Sequence, residues 1–191
     1  MFTKKIVVLF SGEGGNFKNL IETLHQKIFK ETRYEIVGSI CNNKDANGLK
    51  IAHAFNIPCE ILEHKKFKNR EEFDTVLVKK INSFKADLTV LAGFMRILTP
   101  IFTDNIKAIN LHPSLLPLFK GTNAIERSFY SDMKVAGVSV HLVSSELDGG
   151  EIISQKCFQK DEDMSFDDFK KMIKEIEFEI LPKAVMKILK D

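Results

Sequence analysis

Cysteine is scarce in this sequence: its 191 residues include three, Cys41, Cys59 and Cys157. An odd number of widely spaced cysteines suggests neither a disulfide framework nor a zinc site. We therefore expect all three to be free thiols in the buried interior of the protein.

Long apolar runs and an excess of either charge are also absent. No segment approaches the roughly 20 apolar residues that cross a bilayer. After the basic start of the chain, the apolar stretch at residues 6–10 is too short for the core of a signal peptide. The 28 Lys and Arg residues nearly balance the 26 Asp and Glu residues, and the densest basic segment, residues 63–70, is interpreted as a solvated loop. We expect a cytoplasmic protein that binds neither nucleic acid nor membrane.

A glycine-rich turn follows the first apolar run. Residues 4–10 are typical of a buried strand in a parallel sheet, and the apolar spacing over residues 17–29 predicts a helix. The turn between them, residues 11–16, would present backbone N–H groups and a helix N-terminus to an anion. Phosphate is the natural ligand for such a site, although a tight turn without a ligand also fits.

This turn lacks the signatures of the large nucleotide cofactors. The dinucleotide fingerprint needs a third glycine where this chain has Phe17. The next strand, residues 34–40, ends without an acidic residue to hold a ribose hydroxyl, and a Gly-Lys-Ser/Thr phosphate loop is missing as well. NAD and ATP are therefore disfavoured, and a smaller phosphate ester is favoured.

Strands and helices alternate along the chain, which predicts an α/β fold with a doubly wound, mostly parallel sheet. Only a short turn separates the predicted strands 137–143 and 151–158, so this last pair is expected to be antiparallel. The terminal helix opens at Ser165 and is expected to kink or break at Pro182. Because no linker or repeat interrupts the chain, residues 1–191 are predicted to form a single domain.

The stretch 109–117 carries the strongest chemical signal. Asn110 and His112 are two residues apart on a strand, so their side chains lie on one face, and Pro113 should end the strand. An amide and an imidazole placed side by side could donate two hydrogen bonds to one developing oxyanion. The alternative is a polar strand end followed by a rigid turn.

Two further segments follow strands of the predicted sheet. The apolar segment 93–100, which contains Arg96, could line a pocket for a flat aromatic ligand or belong to the core. Residues 144–150 form an acidic turn, and His141 on the strand before it is expected to be a hydrogen-bonded core histidine. Because ligands of doubly wound sheets bind beyond the carboxyl ends of the strands, we expect these features to meet in one crevice.

Three motifs together resemble the glycinamide ribonucleotide formyltransferase family, folate-dependent enzymes of purine biosynthesis. They are Leu-Ala-Gly-Phe-Met-Arg-Ile-Leu-Thr-Pro at 91–100, Asn-Leu-His-Pro-Ser-Leu-Leu-Pro at 110–117, and Gly-Val-Ser-Val-His at 137–141 with Glu-Leu-Asp-Gly-Gly at 146–150. The resemblance implies a Rossmann-like formyltransferase fold. It also implies transfer of the formyl group of 10-formyltetrahydrofolate, a co-substrate, to the amine of 5-phosphoribosylglycinamide in de novo purine (IMP) biosynthesis. The implied partners are small-molecule substrates without a metal, and the implied state is a monomer or weak homodimer.

The resemblance implies a role for each residue that matches a family motif. The implied catalytic residues are Asn110, His112 and Asp148. The implied ribonucleotide-binding residues are Gly14, Gly15, Asn16, Lys174 and Glu177. The implied folate-binding residues are Arg70, Met95, Arg96, Ile97, Leu98, Asn110, Ser144, Ser145, Glu146, Leu147 and Asp148.

Two departures from the family pattern concern the ribonucleotide. Better-known members have a serine at the place of Gly15, so this chain has one phosphate donor fewer. Where those members often carry Gly-Leu-His-x-His, this chain has Gly-Thr-Asn-Ala-Ile at 121–125. That segment resembles the wider set of formyl-transferring enzymes.

Three other functions on the same fold are the alternatives. Formyltetrahydrofolate deformylase uses water as the nucleophile, but its N-terminal regulatory domain is not expected in a chain whose first strand begins at Lys4. Methionyl-tRNA formyltransferase has a C-terminal tRNA-binding domain, which is not expected after Asp191. A non-catalytic nucleotide-binding module is the third alternative, and the set of Asn110, His112 and Asp148 argues against it.

Overall fold

The computed structural model describes residues 2–190 and groups them into two compact units, residues 2–109 and Asn110–Lys190. Each unit combines β-strands with helices that pack on them, as the predicted α/β class requires. That residues 1–191 form a single domain stays a prediction. Among residues 2–190, no helix is both long enough and apolar enough to cross a membrane.

The first unit is built around its first strand. The strands of this unit are β1 (Phe2–Phe10), β2 (Ile28–Phe29), β3 (Thr32–Cys41), β4 (Cys59–Ile61) and β5 (Leu88–Leu91). β1 pairs in parallel with β3 and with β5, β3 pairs in parallel with β4, and β2 joins β3 in the antiparallel direction. Residues 6–10 of β1 are buried, as expected for a central parallel strand.

Helices cover these strands. They are α1 (Gly15–Leu24), α2 (Gly48–Ala54), α3 (Arg70–Ser83) and α4 (Pro100–Thr103), with a 3₁₀ turn at His64–Lys66. α1 stacks Phe17 on Phe10 of β1, with the ring centroids 5.0 Å apart. The start of α3 is capped by Asn69, whose Oδ1 accepts a hydrogen bond from the N–H of Glu72 at 2.8 Å.

The helix predicted over residues 17–29 is wrong at its C-terminal end. α1 stops at Leu24, and Gln26 has a φ of 59°, a left-handed conformation that cannot continue the helix. The N–H of Gln26 donates to the carbonyl of Tyr34, and the N–H of Tyr34 donates to the carbonyl of Lys27. These bonds pair the next residues with β3 as strand β2, so tertiary pairing overrides the helical spacing.

The second unit contains the end of β6 (Ala108–His112), together with β7 (Val135–Leu142), β8 (Ile152–Gln159), α5 (Ala124–Phe129) and α6 (Phe166–Ile188). β7 lies between β6 and β8, and it pairs with β8 in the predicted antiparallel direction. α6 packs on β7 and β8. Its buried face includes Phe169, Ile173, Ile176 and Ile180.

Pro182 does not break α6, so this part of the prediction is wrong. The helix starts as expected, because the hydroxyl of Ser165 accepts a hydrogen bond from the N–H of Asp168 at 3.1 Å. Pro182 lies inside the helix and is buried, between the buried side chains of Leu181 and Val185. Burial of this apolar face offsets the one hydrogen bond that proline cannot donate.

The expected burial of the cysteines is wrong for two of them. All three cysteines are free as expected, but Cys59 is half-buried and Cys157 is exposed. Cys157 lies on β8, most of whose side chains are exposed. Before β7, α5 begins at Ala124, since Gly121 and Asn123 have φ values of 80° and 55°.

Candidate active site

Strand β6 ends in two polar side chains that contact the same carboxylate. Ile109 and Leu111 alternate with Asn110 and His112, and the strand stops at His112 where Pro113 follows. Both Asn110 and His112 lie against the carboxylate of Asp148. The alternation of a strand is therefore what brings the amide and the imidazole to one carboxylate.

The Asp148 carboxylate has two partners on each oxygen. Oδ2 accepts a hydrogen bond from the N–H of Gly121 at 2.8 Å and lies 3.3 Å from Nδ1 of His112. Oδ1 accepts from Nδ2 of Asn110 at 3.3 Å and lies 3.5 Å from Nε2 of His141. The side chains of His112 and Asp148 are each 7% exposed, so these contacts form away from bulk water.

Burial alone would raise the pKa of the Asp148 carboxyl, because its charged form loses water. The nearby His141 side chain, the hydrogen bond from the N–H of Gly121 and the charge of His112 together outweigh burial, and they lower the pKa of Asp148 below its usual value. Asp148 is therefore an anion at neutral pH. A buried anion beside an imidazole favours the imidazolium form.

The second ring nitrogen of His112, Nε2, has a hydrogen-bond partner as well. Nε2 lies 2.9 Å from the carbonyl oxygen of Phe119, which can only accept a hydrogen bond. Nε2 therefore carries a proton, and Nδ1 faces the carboxylate of Asp148. The surroundings of His112 consist of acceptors on both sides, which suits a charged imidazolium that donates from both nitrogens.

His141 takes part in this cluster, although the sequence suggested only a core histidine. It is buried and hydrogen-bonded as expected, with Nδ1 donating to the carbonyl of Leu142 at 2.8 Å. Its Nε2 lies 3.1 Å from Nδ2 of Asn110, so it accepts the second N–H of that amide. The sequence signal was present, since a histidine on β7 can face the neighbouring strand β6, but the pattern could not specify its partner.

The turn that carries Asp148 is shaped by its glycines and by a left-handed residue. Asp148 itself has a φ of 49°. A side chain on Gly150 would place its Cβ 1.8 Å from the carbonyl oxygen of Leu142, so only glycine fits against β7. The predicted folate-binding residues of this turn are half-buried (Ser144) or exposed (Ser145, Glu146 and Leu147).

The predicted phosphate loop, in the first unit, opens α1. Gly14 has a φ of 73° and occupies the N-cap position, where no side chain caps the helix. Gly15 and Asn16 are the first two residues of α1. Their backbone N–H groups precede the first intrahelical donor, Lys18, whose N–H bonds to the carbonyl of Gly14 at 2.8 Å. Because the N-cap residue is a glycine, its side chain does not cap this helix N-terminus, and a helix N-terminus suits an anion.

The predicted folate segment of the first unit alternates between inward and outward side chains. Phe94 is buried, whereas Met95 and Ile97 are 75% and 53% exposed. Arg96 and Leu98 are half-buried. Two large apolar side chains that point outward do not fit the core alternative for this segment, and Arg70 is exposed at the start of α3.

The two residues of α6 that are predicted to bind the ribonucleotide form an ion pair. Nζ of Lys174 lies 2.9 Å from Oε2 of Glu177, and Glu177 is buried. Lys174 also lies over the ring of Phe178 at 5.0 Å. The pair lies one helical turn apart on one face, as the spacing predicts.

The cluster of β6 and the Asp148 turn can stabilise a negatively charged oxygen. It contains one amide and one imidazole that donate hydrogen bonds, and the Asp148 carboxylate lies 3.3 Å from both groups. Such donors act on an oxyanion when they lie within hydrogen-bonding distance of its position in the transition state.

Comparisons with known proteins place the chain in a family. The family model described as formyl transferase matches residues 4–185. The phosphoribosylglycinamide formyltransferase of Bacillus subtilis (strain 168) is 32% identical over 188 residues, which is 97% of this chain and 95% of that protein. The trifunctional purine biosynthetic protein adenosine-3 of Bos taurus is 36% identical over 95% of this chain, but the chain spans only 18% of that protein's length.

Solved structures agree as well. The crystal structure of phosphoribosylglycinamide formyltransferase from Campylobacter jejuni subsp. jejuni NCTC 11168 is 58% identical, with a TM-score of 0.97 over 99% of both chains. The structure of the phosphoribosylglycinamide formyltransferase from Coxiella burnetii is 35% identical, with a TM-score of 0.88 over 97% of this chain and 86% of that one. The predicted α/β fold with its mostly parallel sheet is thereby confirmed.

Proposed function

Because this chain belongs to the formyl transferase family, we propose that it transfers the formyl group of 10-formyltetrahydrofolate to the amine of 5-phosphoribosylglycinamide, in de novo purine (IMP) biosynthesis. The observation that carries the proposal is the Asp148 carboxylate, which contacts both Nδ2 of Asn110 and Nδ1 of His112. Formyl transfer passes through a tetrahedral oxyanion, and this contact holds the amide and the imidazole that can donate hydrogen bonds to it.

The amine nitrogen attacks the formyl carbon, and the electron pair of the C=O bond moves to the oxygen. Asn110 and the charged His112 donate hydrogen bonds to the resulting oxyanion. The tetrahedral intermediate collapses when the bond between the formyl carbon and the folate nitrogen breaks. His112 gives a proton to the leaving folate nitrogen, and Asp148 accepts a proton from the attacking amine through water.

The donors must change partners for this reaction. Both N–H groups of the Asn110 amide are engaged, by His141 and by Asp148. The Nε2 proton of His112 is engaged by the carbonyl of Phe119. The formyl oxygen therefore has to replace the Phe119 carbonyl at His112 before the oxyanion can be stabilised there.

Substrate binding is assigned to the residues predicted from the sequence. For the ribonucleotide these are Gly14, Gly15, Asn16, Lys174 and Glu177. For the folate they are Arg70, Met95, Arg96, Ile97 and Leu98, with Asn110 and the turn of Ser144, Ser145, Glu146, Leu147 and Asp148. The uncapped start of α1 supports the phosphate assignment, and the exposed side chains of Met95 and Ile97 support the folate assignment.

One experiment separates the transferase from its alternatives. The protein is mixed with 10-formyltetrahydrofolate, with and without 5-phosphoribosylglycinamide, and the folate absorbance is followed. We expect turnover only when the ribonucleotide is present. Turnover without it would identify a deformylase, and folate binding without any turnover would identify a binding module. Asp148→Asn, which removes the charge of the cluster, is the matched inactive control.

Several properties follow from the proposed function and stay predictions. The protein is expected to act in the cytoplasm on small-molecule substrates, without nucleic acid, membrane or metal. Residues 1–191 are expected to act as one formyltransferase domain, in a monomer or weak homodimer. Sedimentation of the purified protein over a range of concentrations measures its oligomeric state.

A further inference from the structure

The segment that carries Met95 and Ile97 is tied to other elements at both of its ends. At its start, the N–H of Met95 donates to the hydroxyl of Ser11 at 2.8 Å. At its end, the N–H of Thr99 donates to Oδ2 of Asp74 at 2.6 Å. Between these two bonds the segment has no helix or strand. Its shape therefore depends on side chains outside it.

Asp74 is an unusual residue to find in this place. It lies on α3 and is 1% exposed, as buried as the apolar residues Phe73 and Leu77 beside it. The pattern of apolar residues on α3 gives no reason for a carboxylate on its buried face. An aspartate is seldom buried without a specific partner, and here its partner is the backbone N–H of Thr99.

The same turn of α3 contacts the segment at two more points. The ring of Phe73 stacks on Phe94, with the centroids 6.5 Å apart. The guanidinium of Arg96 lies 5.5 Å from the centroid of the Phe73 ring. Phe73 thus holds the inward-facing side chains Phe94 and Arg96, while Asp74 fixes the backbone after them. Met95 and Ile97, which follow these two inward-facing residues, are exposed.

We propose that Asp74 is a positioning residue for folate binding, which acts by fixing the backbone of Thr99 and hence the outward direction of Met95 and Ile97. The inference rests on the proposed function, in which Met95 and Ile97 contact the folate. Asp74 itself does not touch substrate in this assignment. It belongs to the binding machinery only through the segment 94–99.

The test compares three variants, with folate binding measured directly by titration of the isolated protein. Asp74→Ala removes the acceptor, and we expect the folate Kd to rise by about tenfold, the size of one lost hydrogen bond to a charged group. Asp74→Asn keeps an acceptor oxygen and should raise the Kd by only about two- to threefold. The KM of the ribonucleotide should change by less than twofold in both variants.

Ile81→Ala is the matched control, because it weakens the same helix away from the segment and from Arg70. Its side chain is buried near the C-terminal end of α3. We expect an unchanged folate Kd in Ile81→Ala, even where its melting temperature falls as far as that of the Asp74 variants. An equal rise in Kd in Ile81→Ala and Asp74→Ala would show that general loss of helix stability is the cause, and would overturn the proposal.

The remaining outcomes also decide the question. An unchanged folate Kd in a folded Asp74→Ala protein overturns the proposal, as does an equal rise in the KM of the ribonucleotide. If Asp74→Ala does not fold, Asp74→Asn decides alone, and a wild-type folate Kd in that variant overturns it. A wild-type protein that binds no 10-formyltetrahydrofolate would instead contradict the proposed function itself.

Discussion

The carbonyl oxygen of Phe119 accepts a hydrogen bond from Nε2 of His112 at 2.9 Å. Phe119 has a φ of 58°, a left-handed conformation that is rare for a bulky residue. Its ring lies 5.7 Å from the guanidinium of Arg127, which also donates to the carbonyl of Lys120 at 2.7 Å. The Phe119 carbonyl thus holds the Nε2–H of His112, and in the proposed reaction the formyl oxygen has to take its place.

Replacing Asp148 with Asn should separate electrostatic support of His112 from packing. The variant keeps the shape of the side chain but removes the charge that lies 3.3 Å from Nδ1 of His112. We expect kcat at neutral pH to fall on the order of 10² to 10³. The measurement is steady-state kinetics of the variant beside the wild type, with the fold of both checked by circular dichroism.

The same variant tests the lowered pKa of Asp148 through stability. A carboxyl whose pKa is lowered by folding stabilises the protein above its unfolded value of 3.8, and this contribution is lost as the pH falls through the folded pKa. Urea unfolding of Asp148→Asn should therefore show less loss of stability on acidification. Glu151→Gln, an exposed change just after the turn, is the control. An equal loss of stability on acidification in Asp148→Asn and the wild type would contradict the lowered pKa of Asp148.

His141→Leu should weaken catalysis without removing any group that touches substrate. The change takes away the acceptor at Nε2 and leaves one buried N–H of Asn110 without a partner, which costs about 1–3 kcal/mol of stability. A freed amide no longer has one orientation, so we expect kcat to fall about tenfold while both KM values stay near wild type. A variant with wild-type kcat would return His141 to a purely structural role.

Ile97→Asp should weaken folate binding in a protein that stays folded. Ile97 is 53% exposed, so the new charge remains in contact with water in the free protein. When folate binds, the carboxylate would be buried against an apolar surface, and the affinity should fall at least about tenfold. Ile61→Asp is the matched control, because Ile61 is 48% exposed on β4. Equal folate affinity in both variants would contradict the folate assignment of the segment 95–98.

Gly15→Ser should tighten the binding of the ribonucleotide. Gly15 is the first residue of α1, and a serine hydroxyl there would add one hydrogen-bond donor at the N-terminus of the helix. One extra hydrogen bond to phosphate should lower the ribonucleotide KM by about threefold to tenfold. Gly12→Ala is the control, because its Cβ would meet open space. A KM equal to that of Gly12→Ala would mean that no phosphate reaches position 15.

The sequence predicts the chemistry of β6 well, because strand geometry depends on neighbouring residues only. Side chains two residues apart on a strand lie on the same face, and Asn110 and His112 do lie against one carboxylate. Capping by Asn69 and Ser165 was predictable for the same reason, since a cap reaches three residues along the chain. The family resemblance then supplied Asp148, which strand periodicity alone could not assign to this cluster.

Contacts between segments that are distant in the sequence could not be predicted from the pattern of residues. The end of α1 depends on hydrogen bonds to β3, and the continuity of α6 through Pro182 depends on the burial of its apolar face. The Phe119 carbonyl at His112 and the Asp74 carboxylate at Thr99 are backbone partners of side chains, which no pattern of residue types specifies. These partners are set by tertiary packing, so they required the structure.

Gly14 and Gly48 pack so closely that neither can be replaced by a larger residue in a single substitution. A Cβ on Gly14 would lie 2.7 Å from the Cα of Gly48, and a Cβ on Gly48 would lie 2.5 Å from the ring of Phe10. Any single substitution at either glycine therefore meets backbone or a buried ring before a second change can relieve it. In mutational terms, neither of these two positions has a one-step route to a larger side chain. The exposed positions Gly12 and Glu13 of the same loop carry no such restriction.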